Sequence, residues 1–600
     1  MSPKSLIKNN VLSILVQGVT SLLENTKSNL NVEDLKIRIE YSRDEKFGDY
    51  SSPFALENKN AFGQNPKELA ESIIPLIQSN PLFSEVTFSP PGFINFRIKP
   101  LQLWHFLLNF KNKDTIFAKH DEVSKICLEF VSANPTGPMN IVSARSSAYG
   151  DALANLLTSV GNQVEKEFYV NDYGNQVNLL GVAVLLRYME SKGVEITFQE
   201  EEDDRSIYVL IESAVLPKES YRGEYIKDIA FAYVSDPIRK ENLDKNIEAK
   251  NWDSIISDLS IFAVSFNLEQ QKKDLSSFGV QFDRFFSERS LHETGHVDAV
   301  PNRLKQADIS TEEDKLLFLS TKYGDDKDRV IRRADGRPTY LMADIAYHIN
   351  KFERGFDQLI DIWGPDHYGY IARLKGAMVS FGKPEQSFNV LIAQQVNLIE
   401  NKQKVKMSKR LGVFQTMTDL LTYLGKNAKD VGRYFFLMRS ADMPLDFDLD
   451  LAKDESEKNP VFYIQYAHAR IRSIFRELGD IQFVGEKVIY AGKEITLDLN
   501  LSNFHQEDRV RLLFWISRFP EEVYDAAHSL EPHRLTNYLQ SLSKSFTKFY
   551  GNKENKIKDK SGEERETLLL LLKYTEIAIE SGLRLLGISA PESMSKEEGQ

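Results

Sequence analysis

"ICLEFVSANPTGPMNIVSARSS", residues 126–147, decides the fold of this 600-residue chain. The run Ile126 to Val131 is apolar apart from Glu129 and reads as a buried strand. A Pro/Gly/Asn turn follows, and a helical pattern begins at about Met139. Strand, tight loop and helix N-terminus together form a nucleotide-phosphate site, because unpaired backbone amides and the helix dipole favour anions there. The first helical turn nevertheless reads Asn140-Ile141-Val142-Ser143, with neither histidine nor glycine.

Outward from this stretch, short apolar strands alternate with amphipathic helices, the pattern of a parallel α/β domain. Strand candidates are 126–131, 165–170, 358–363 and 389–393. The interval from about 177 to 320 is mostly helical and acidic and reads as an insertion between two halves of the sheet. Residues 1–115 read as a small α+β domain. It holds an amphipathic surface helix over "VLSILVQGVTSLL", a strand at Leu35–Tyr41, a helix at Pro66–Ile77 and strands near 86–88 and 94–98. From 446 to 600 no convincing parallel strand is visible, and four long amphipathic segments predict an all-α bundle with its own core. The α/β domain then spans 116–445.

Composition bounds the chemistry. The chain is 42% hydrophobic and 27% charged, as a soluble globular protein is. A single cysteine excludes a disulfide framework and a cysteine-built zinc site. Ten histidines lie scattered without ligand spacing, so no structural metal is expected. No run reaches the roughly 18–20 apolar residues of a membrane span, and a cytoplasmic location is expected. The net charge of −12 argues against a generally basic nucleic-acid surface, but local patches still grip phosphates. One is "KQKVKMSKR" at 402–410; the other, Lys544–Lys560, interleaves six lysines with Phe546, Phe549 and Tyr550. A solvated charged face is the alternative for each.

Two further motifs carry chemistry. In Lys406-Met407-Ser408-Lys409 two ammonium groups and a hydroxyl suit a triphosphate whose charge shifts in the transition state. In "DIWGPDHYGY", 361–370, Gly364 lets a ribose approach the backbone, and Asp366 either accepts its hydroxyls or caps a helix.

Taken together these residues resemble the class I aminoacyl-tRNA synthetases, and within them the arginyl-tRNA synthetase family. The likeness is collinear: "KFGDYSSPFAL", "PGFINFR", "EFVSANPTGP", "FYVNDYGNQ", "FDRFFSE", "WGPDHYGY", "VKMSKRLG" and "QYAHARI" fall in family order. The resemblance implies a Rossmann-like class I catalytic domain, an N-terminal α+β domain that contacts tRNA and a C-terminal helical anticodon-binding domain. It implies arginine activation by ATP with Mg2+, without a tightly bound cofactor, and transfer to the 3′ end of tRNA(Arg) by a monomer. Glu129, Ser132, Asn134, Tyr340 and Asp344 match arginine-binding positions. Pro138, Asn140, Val142, Ser143, Gly364, Asp366, His367, Lys406, Ser408 and Lys409 match ATP positions, with Asn140, Ser143, Lys406 and Lys409 in catalytic roles. Phe93 and Asn95 match positions at the tRNA elbow, where an ordinary strand is the alternative.

The chain departs from the family where His-Ile-Gly-His is the signature and Asn140-Ile141-Val142-Ser143 stands instead. Asn140 and Ser143 stay hydrogen-bond donors on one face of the turn but carry no charge. Arg145 and the lysine motif are the expected compensation. The competing expectation is a catalytically impaired paralogue that binds tRNA or arginine as a regulator; an unrelated ATP-dependent ligase would leave 446–600 unexplained.

Overall fold

The computed structural model describes residues 3–594 apart from 43, 111–115, 121, 202–204, 406–415, 485–486, 496–503 and 505. Two compact units make up the chain. One comprises Ser124–Ala154 with Gln163–Ala452, the other Met1–Val123, Asn155–Asn162 and Lys453–Gln600.

The first unit is built on a five-stranded parallel sheet. Its spatial order is Phe388–Ile392, Gln358–Trp363, Lys125–Glu129, Gln163–Val170, Arg284–Ser287. Four of these strands are those expected from their apolar runs. The fifth, Arg284–Ser287, corrects the helical reading of 177–320: it is a four-residue edge strand, too short to show a period of two. The same interval also holds the antiparallel strands Ile309–Glu312 and Lys315–Phe318. Leu445–Asp448 pairs in parallel with Val396–Glu400, so strand structure reaches slightly past the point where helices alone were expected.

Register sets the chemistry of this sheet. Asp361 pairs with Glu129, and Glu129 with Glu167, so three carboxylates stand in one row across adjacent strands. Like charges so placed repel. The helix Tyr340–Glu353 and the residue after it answer them at helical spacing. His348 bonds Asp361, Lys351 pairs with both Glu129 and Asp361, and Tyr347 and Arg354 bond Glu167. Behind the central strand runs the helix Ile141–Ser159. A Cβ at Gly150 would collide with the Phe130 ring, so glycine is what lets this helix lie so close.

In the second unit, the strands Glu40–Tyr41, Tyr50–Ser52, Phe93–Ile98 and Phe83–Ser89 form an antiparallel sheet. The helix Ile7–Thr26 buries Leu15, Val19, Leu22 and Leu23 of the expected apolar spacing together with Val11, while Leu12 and Val16 are half-buried. Only Glu40–Tyr41 of the expected strand at 35–41 forms; a 3-10 turn occupies Val32–Asp34. The helices Pro460–Leu478, Glu507–Ser517, Phe519–His528, His533–Gly551 and Gly562–Leu585 belong to the same unit. A small antiparallel sheet, Ile481–Val484, Lys487–Tyr490 and Lys493–Glu494, interrupts the otherwise helical stretch. The first and last expected segments pack together: Tyr50 Oη donates to Glu521 Oε2 at 2.9 Å, and Arg511 pairs with Asp49. Lys544 and Lys548 are exposed, whereas Phe546 and Phe549 are core, so the aromatics between these lysines serve packing.

Candidate active site

At the carboxyl ends of the parallel strands, where open α/β sheets bind ligands, lies a cavity of about 410 Å³. Glu129, Ser132, Asn134, Tyr340, Asp344, Gly364 and His367 all line it, seven residues singled out in the sequence from three separate stretches. Glu288 lines it too and went unread, although it ends the quoted block "FDRFFSE" just after the missed edge strand.

The central strand ends sharply. Val131 and Ser132 turn to positive φ (70° and 40°), which costs a β-branched residue of order 1–3 kcal/mol. The turn brings Ser132 Oγ between Glu129 Oε1, to which it donates at 2.8 Å, and the Tyr169 amide, from which it accepts at 3.1 Å. Helices of the insertion then clamp the loop by its carbonyls. Gln271 donates to Asn134 and Gly137, Asn267 to Pro135 and Tyr225 to Thr136.

Burial of Glu129 demands a partner, and Lys351 supplies it at 2.6 Å rather than waiting for a substrate. Burial still raises the Glu129 pKa, against the pull of Lys351. Glu129, His348 and Asp361 group closely enough for a metal ion, but the Lys351 ammonium already bonds both carboxylates. Among the described residues Asp344 has no such ion pair, and Glu288 has only His292, 3.7 Å away, an imidazole that burial holds below its ordinary pKa. Burial, then Glu129 and Asp361, pushes Asp344 up to about 6. Burial and then Asp344 pushes Glu288 up to about 7. The cavity thus holds two strained carboxyls that a planar cation would relieve.

Asn140 and Ser143 meet each other. The helix starts at Ile141, later than expected, and Asn140 caps it: Asn140 Oδ1 accepts from Ser143 N at 2.8 Å and from Ser143 Oγ at 3.1 Å. The Ser143 hydroxyl is therefore committed within the turn, and the Asn140 Nδ2 is the donor left for a ligand. Val142 is half-buried in this turn and Pro138 is exposed before it. Arg145 does not compensate for the missing charge. It is buried and donates to the carbonyls of Gln394, Ser440 and Met443 at 2.7–2.9 Å, and burial lowers its pKa to about 10.

Lys406, Ser408 and Lys409 lie outside the described residues. Thr416, just past that stretch, forms a bridge to Asn140, and Met417 N donates to Met139 O at 2.9 Å. Gly364 has nothing within 4 Å of where a Cβ would stand, so its backbone is open to a ligand. Asp366 is exposed inside the 3-10 turn Pro365–Tyr370, whose N-cap is Gly364, and this disposes of the capping alternative. In the other unit, Phe93 and Asn95 line a cavity of about 230 Å³ with Tyr41, Phe47 and Ser89; Asn95 is buried and donates to Ser89 Oγ at 2.8 Å.

One substitution separates the cap from the ligand. Asn140→Asp retains the cap acceptor, so the melting temperature is expected to hold, whereas Asn140→Ala loses about 1 kcal/mol. The added carboxylate faces incoming phosphate and is expected to cut pyrophosphate exchange at least tenfold, about 1.4 kcal/mol.

A parallel sheet with an acidic cavity and a capped helix start at its carboxyl ends is the architecture of a class I aminoacyl-tRNA synthetase. Residues 106–431 match the family model for tRNA synthetases class I (R), catalytic domain. Residues 10–98 match the arginyl tRNA synthetase N terminal domain and 464–594 the DALR anticodon binding domain. An arginine–tRNA ligase of Leptospira biflexa serovar Patoc is 66% identical over all of this chain and 99% of its own. One from Leptospira interrogans serovar Lai is 53% identical over the full length of both. The solved Thermus thermophilus arginyl-tRNA synthetase shares the fold, with a TM-score of 0.72 over 98% of this chain and 100% of its own at 18% identity. The chain belongs to the arginyl-tRNA synthetase family.

Proposed function

We infer that the sheet-end cavity activates arginine for transfer to tRNA(Arg), the chemistry of an ATP-dependent arginine–tRNA ligase. The observation that carries this reading is the pair Asp344 and Glu288, two enclosed carboxyls with no Lys or Arg pair among the described residues, beside an open Gly364 backbone. Comparison with relatives lends no support to a silent paralogue.

Arginine enters with its guanidinium on Asp344 and Glu288 and Tyr340 alongside; Glu129, Ser132 and Asn134 receive its α-amino end. ATP, taken up with Mg2+ as substrate, places adenosine and ribose along Gly364, Asp366 and His367. Pro138, Val142 and the Asn140 cap border the phosphates with Ser143, Lys406, Ser408 and Lys409. An oxygen of the arginine carboxylate attacks the α-phosphorus. The bond to the β-phosphate oxygen breaks, and pyrophosphate leaves with the electron pair. A ribose hydroxyl at the tRNA 3′ end then attacks the adenylate carbonyl, loses its proton and expels AMP. The amino acid brings its own nucleophile, so the protein's part is positioning and charge stabilisation. Phe93 and Asn95 meet the tRNA, and the enzyme works as a cytoplasmic monomer.

Arginine-dependent ATP–pyrophosphate exchange, run with and without tRNA(Arg), tests the reading. Absence of exchange in the presence of a bound tRNA would overturn it.

The pH dependence is a second test. The guanidinium stays charged throughout, while Asp344 and Glu288 take up protons near 6 and 7 in the free pocket. Arginine binds their ionised forms, so binding weakens as pH falls. The KM for arginine is expected to rise about tenfold or more between pH 8 and pH 5.5, with proton release on binding at pH 6.5. Calorimetry in buffers of different ionisation enthalpy reads that proton directly.

A further inference from the structure

The stretch "FYVNDYGNQ", residues 168–176, ends the strand Gln163–Val170 and turns beside the acidic cavity. Parallel register sets Tyr169 against Phe286 and Val170 against Ser287, so Asn171 and Glu288 leave their strands side by side. Tyr169, Asn171, Tyr173 and Glu288 all line the cavity. Glu288 is only 5% exposed, and a carboxylate so enclosed needs donors.

Two donors come from this stretch. The Tyr169 hydroxyl donates to the Glu288 carboxylate. An amide oxygen cannot face both a carboxylate and a carbonyl, so Asn171 presents its nitrogen. Its Nδ2 then lies 3.0 Å from Glu288 Oε2 and 3.3 Å from the Tyr173 carbonyl oxygen. Asp172 fixes the backbone at the start of the helix Glu288–Glu293. Its Oδ2 accepts from Ser287 Oγ at 2.6 Å and its Oδ1 from Arg289 N at 2.9 Å. The donors are themselves held in place. The Tyr169 ring packs on Phe286 and Tyr347, with centroids 6.5 and 4.5 Å apart, and its amide donates to Ser132 Oγ at 3.1 Å.

We propose that Tyr169 and Asn171 are positioning residues that aim the Glu288 carboxylate at the guanidinium of bound arginine and so set the affinity for it. The assignment rests on the guanidinium seat of Asp344 and Glu288. Each residue takes up a lone pair of Glu288 and leaves others for a planar fork of N–H donors. Neither has to touch the substrate. The groups facing Glu288 are Tyr169 and Asp172 from the strand end, Asp344 from the helix Tyr340–Glu353, and His292 from its own helix; Arg289 turns to the Asp172 carbonyl. Burial and Asp344 push Glu288 up to about 7, Tyr169 pulls against them, and Asp172 adds a smaller upward push. Burial, then Glu288, Asp344 and Glu129, keeps the Tyr169 hydroxyl protonated, well above the usual phenol range. Without that hydroxyl the Glu288 carboxyl rises further, and its arginine-binding form is lost at a higher pH.

Tyr169→Phe keeps the ring and removes only the donor. With tRNA(Arg) present at pH 8, kcat/KM for arginine is expected to fall about tenfold, while the KM for ATP barely moves. The acid limb of the arginine profile is expected to shift above 7, and calorimetry at pH 8 to show more proton release on arginine binding than in wild type. Asn171→Ala is expected to give a similar loss. On a Glu288→Gln background, where the group they act through is gone, each change is expected to cost no more than about twofold further. A merely structural role would cost the same on both backgrounds. Single variants that match wild type in arginine affinity and pH profile, or losses that add fully to that of Glu288→Gln, would overturn the proposal. A wild type that neither binds arginine nor supports exchange would instead overturn the reading of the cavity.

Discussion

Asp344→Asn is expected to leave a folded, slightly more heat-stable protein that barely activates arginine. The amide matches the carboxyl in shape but cannot carry the charge a guanidinium requires. Removing one member of a buried hydrogen-bonded charge pair costs 2–5 kcal/mol, which is about 30- to 5,000-fold in kcat/KM for arginine. The KM for ATP at saturating arginine should move little, because the ATP positions lie elsewhere in the cavity. Stability is expected to move the other way. Burial and the neighbouring Glu129 and Asp361 hold the Asp344 carboxyl up at about 6, so its charge is a burden in the free protein at pH 8. A neutral side chain removes that burden and also lets the Glu288 carboxyl relax downward. A melting temperature unchanged or higher at pH 8, with the gap from wild type narrowing as pH falls below about 6, would mark the residue as one kept for binding at the expense of stability. Arginine activation within threefold of wild type would remove Asp344 from the guanidinium site. Glu288→Gln is expected to reproduce the loss and to bring the acid limb of the arginine KM profile down from about 7 toward 6.

How much of this site the sequence disclosed depends on where each partner comes from. Four strands of the central sheet were legible because each is an apolar run bounded by turn residues. Arg284–Ser287 was not, since four residues at a sheet edge show no period, and Glu288 went unread with it. Asn140 is a lesson in competing signals. Aligned to a histidine it reads as a phosphate donor, but an Asn just before a helix with a Ser three residues on is also an N-cap, and the structure takes that option. Arg145 shows what local reading omits. Its carbonyl partners lie about 250 to 300 residues away, so nothing near it reveals that its charge is spent on packing. Glu129 combined both effects: its burial and its need for a partner were visible, while Lys351, 222 residues on, was not.

Lys351→Met is expected to produce the largest loss of stability. Lys351 is fully buried and stands 2.6 Å from Glu129 and 3.0 Å from Asp361, two carboxylates that the sheet register places side by side. Burial alone would lower its pKa, yet Asp361 and Glu129 together raise it, so attraction wins over desolvation. Met fills similar volume without charge and leaves two buried carboxylates facing each other, with His348 still on Asp361. Breaking such a pair from one side costs about 3–5 kcal/mol. The penalty should depend on pH in a definite sense. In the variant both carboxyls titrate above their unfolded values, so their repulsion is fully present at pH 8 and fades as pH falls and they take up protons. Urea unfolding of the variant, followed by intrinsic fluorescence, should show a deficit that shrinks between pH 8 and pH 5.5. The raised carboxyls that both proteins share cancel when the variant is compared with wild type at each pH, and in wild type Lys351 keeps the Asp361 carboxyl below its ordinary value. The active site should register the same change, since a more negative floor beneath Asp344 raises that carboxyl further. Whatever arginine activation survives in Lys351→Met is then expected to need a higher pH than wild type, and a variant whose pH profile and stability both matched wild type would show that the carboxylate row needs no cation.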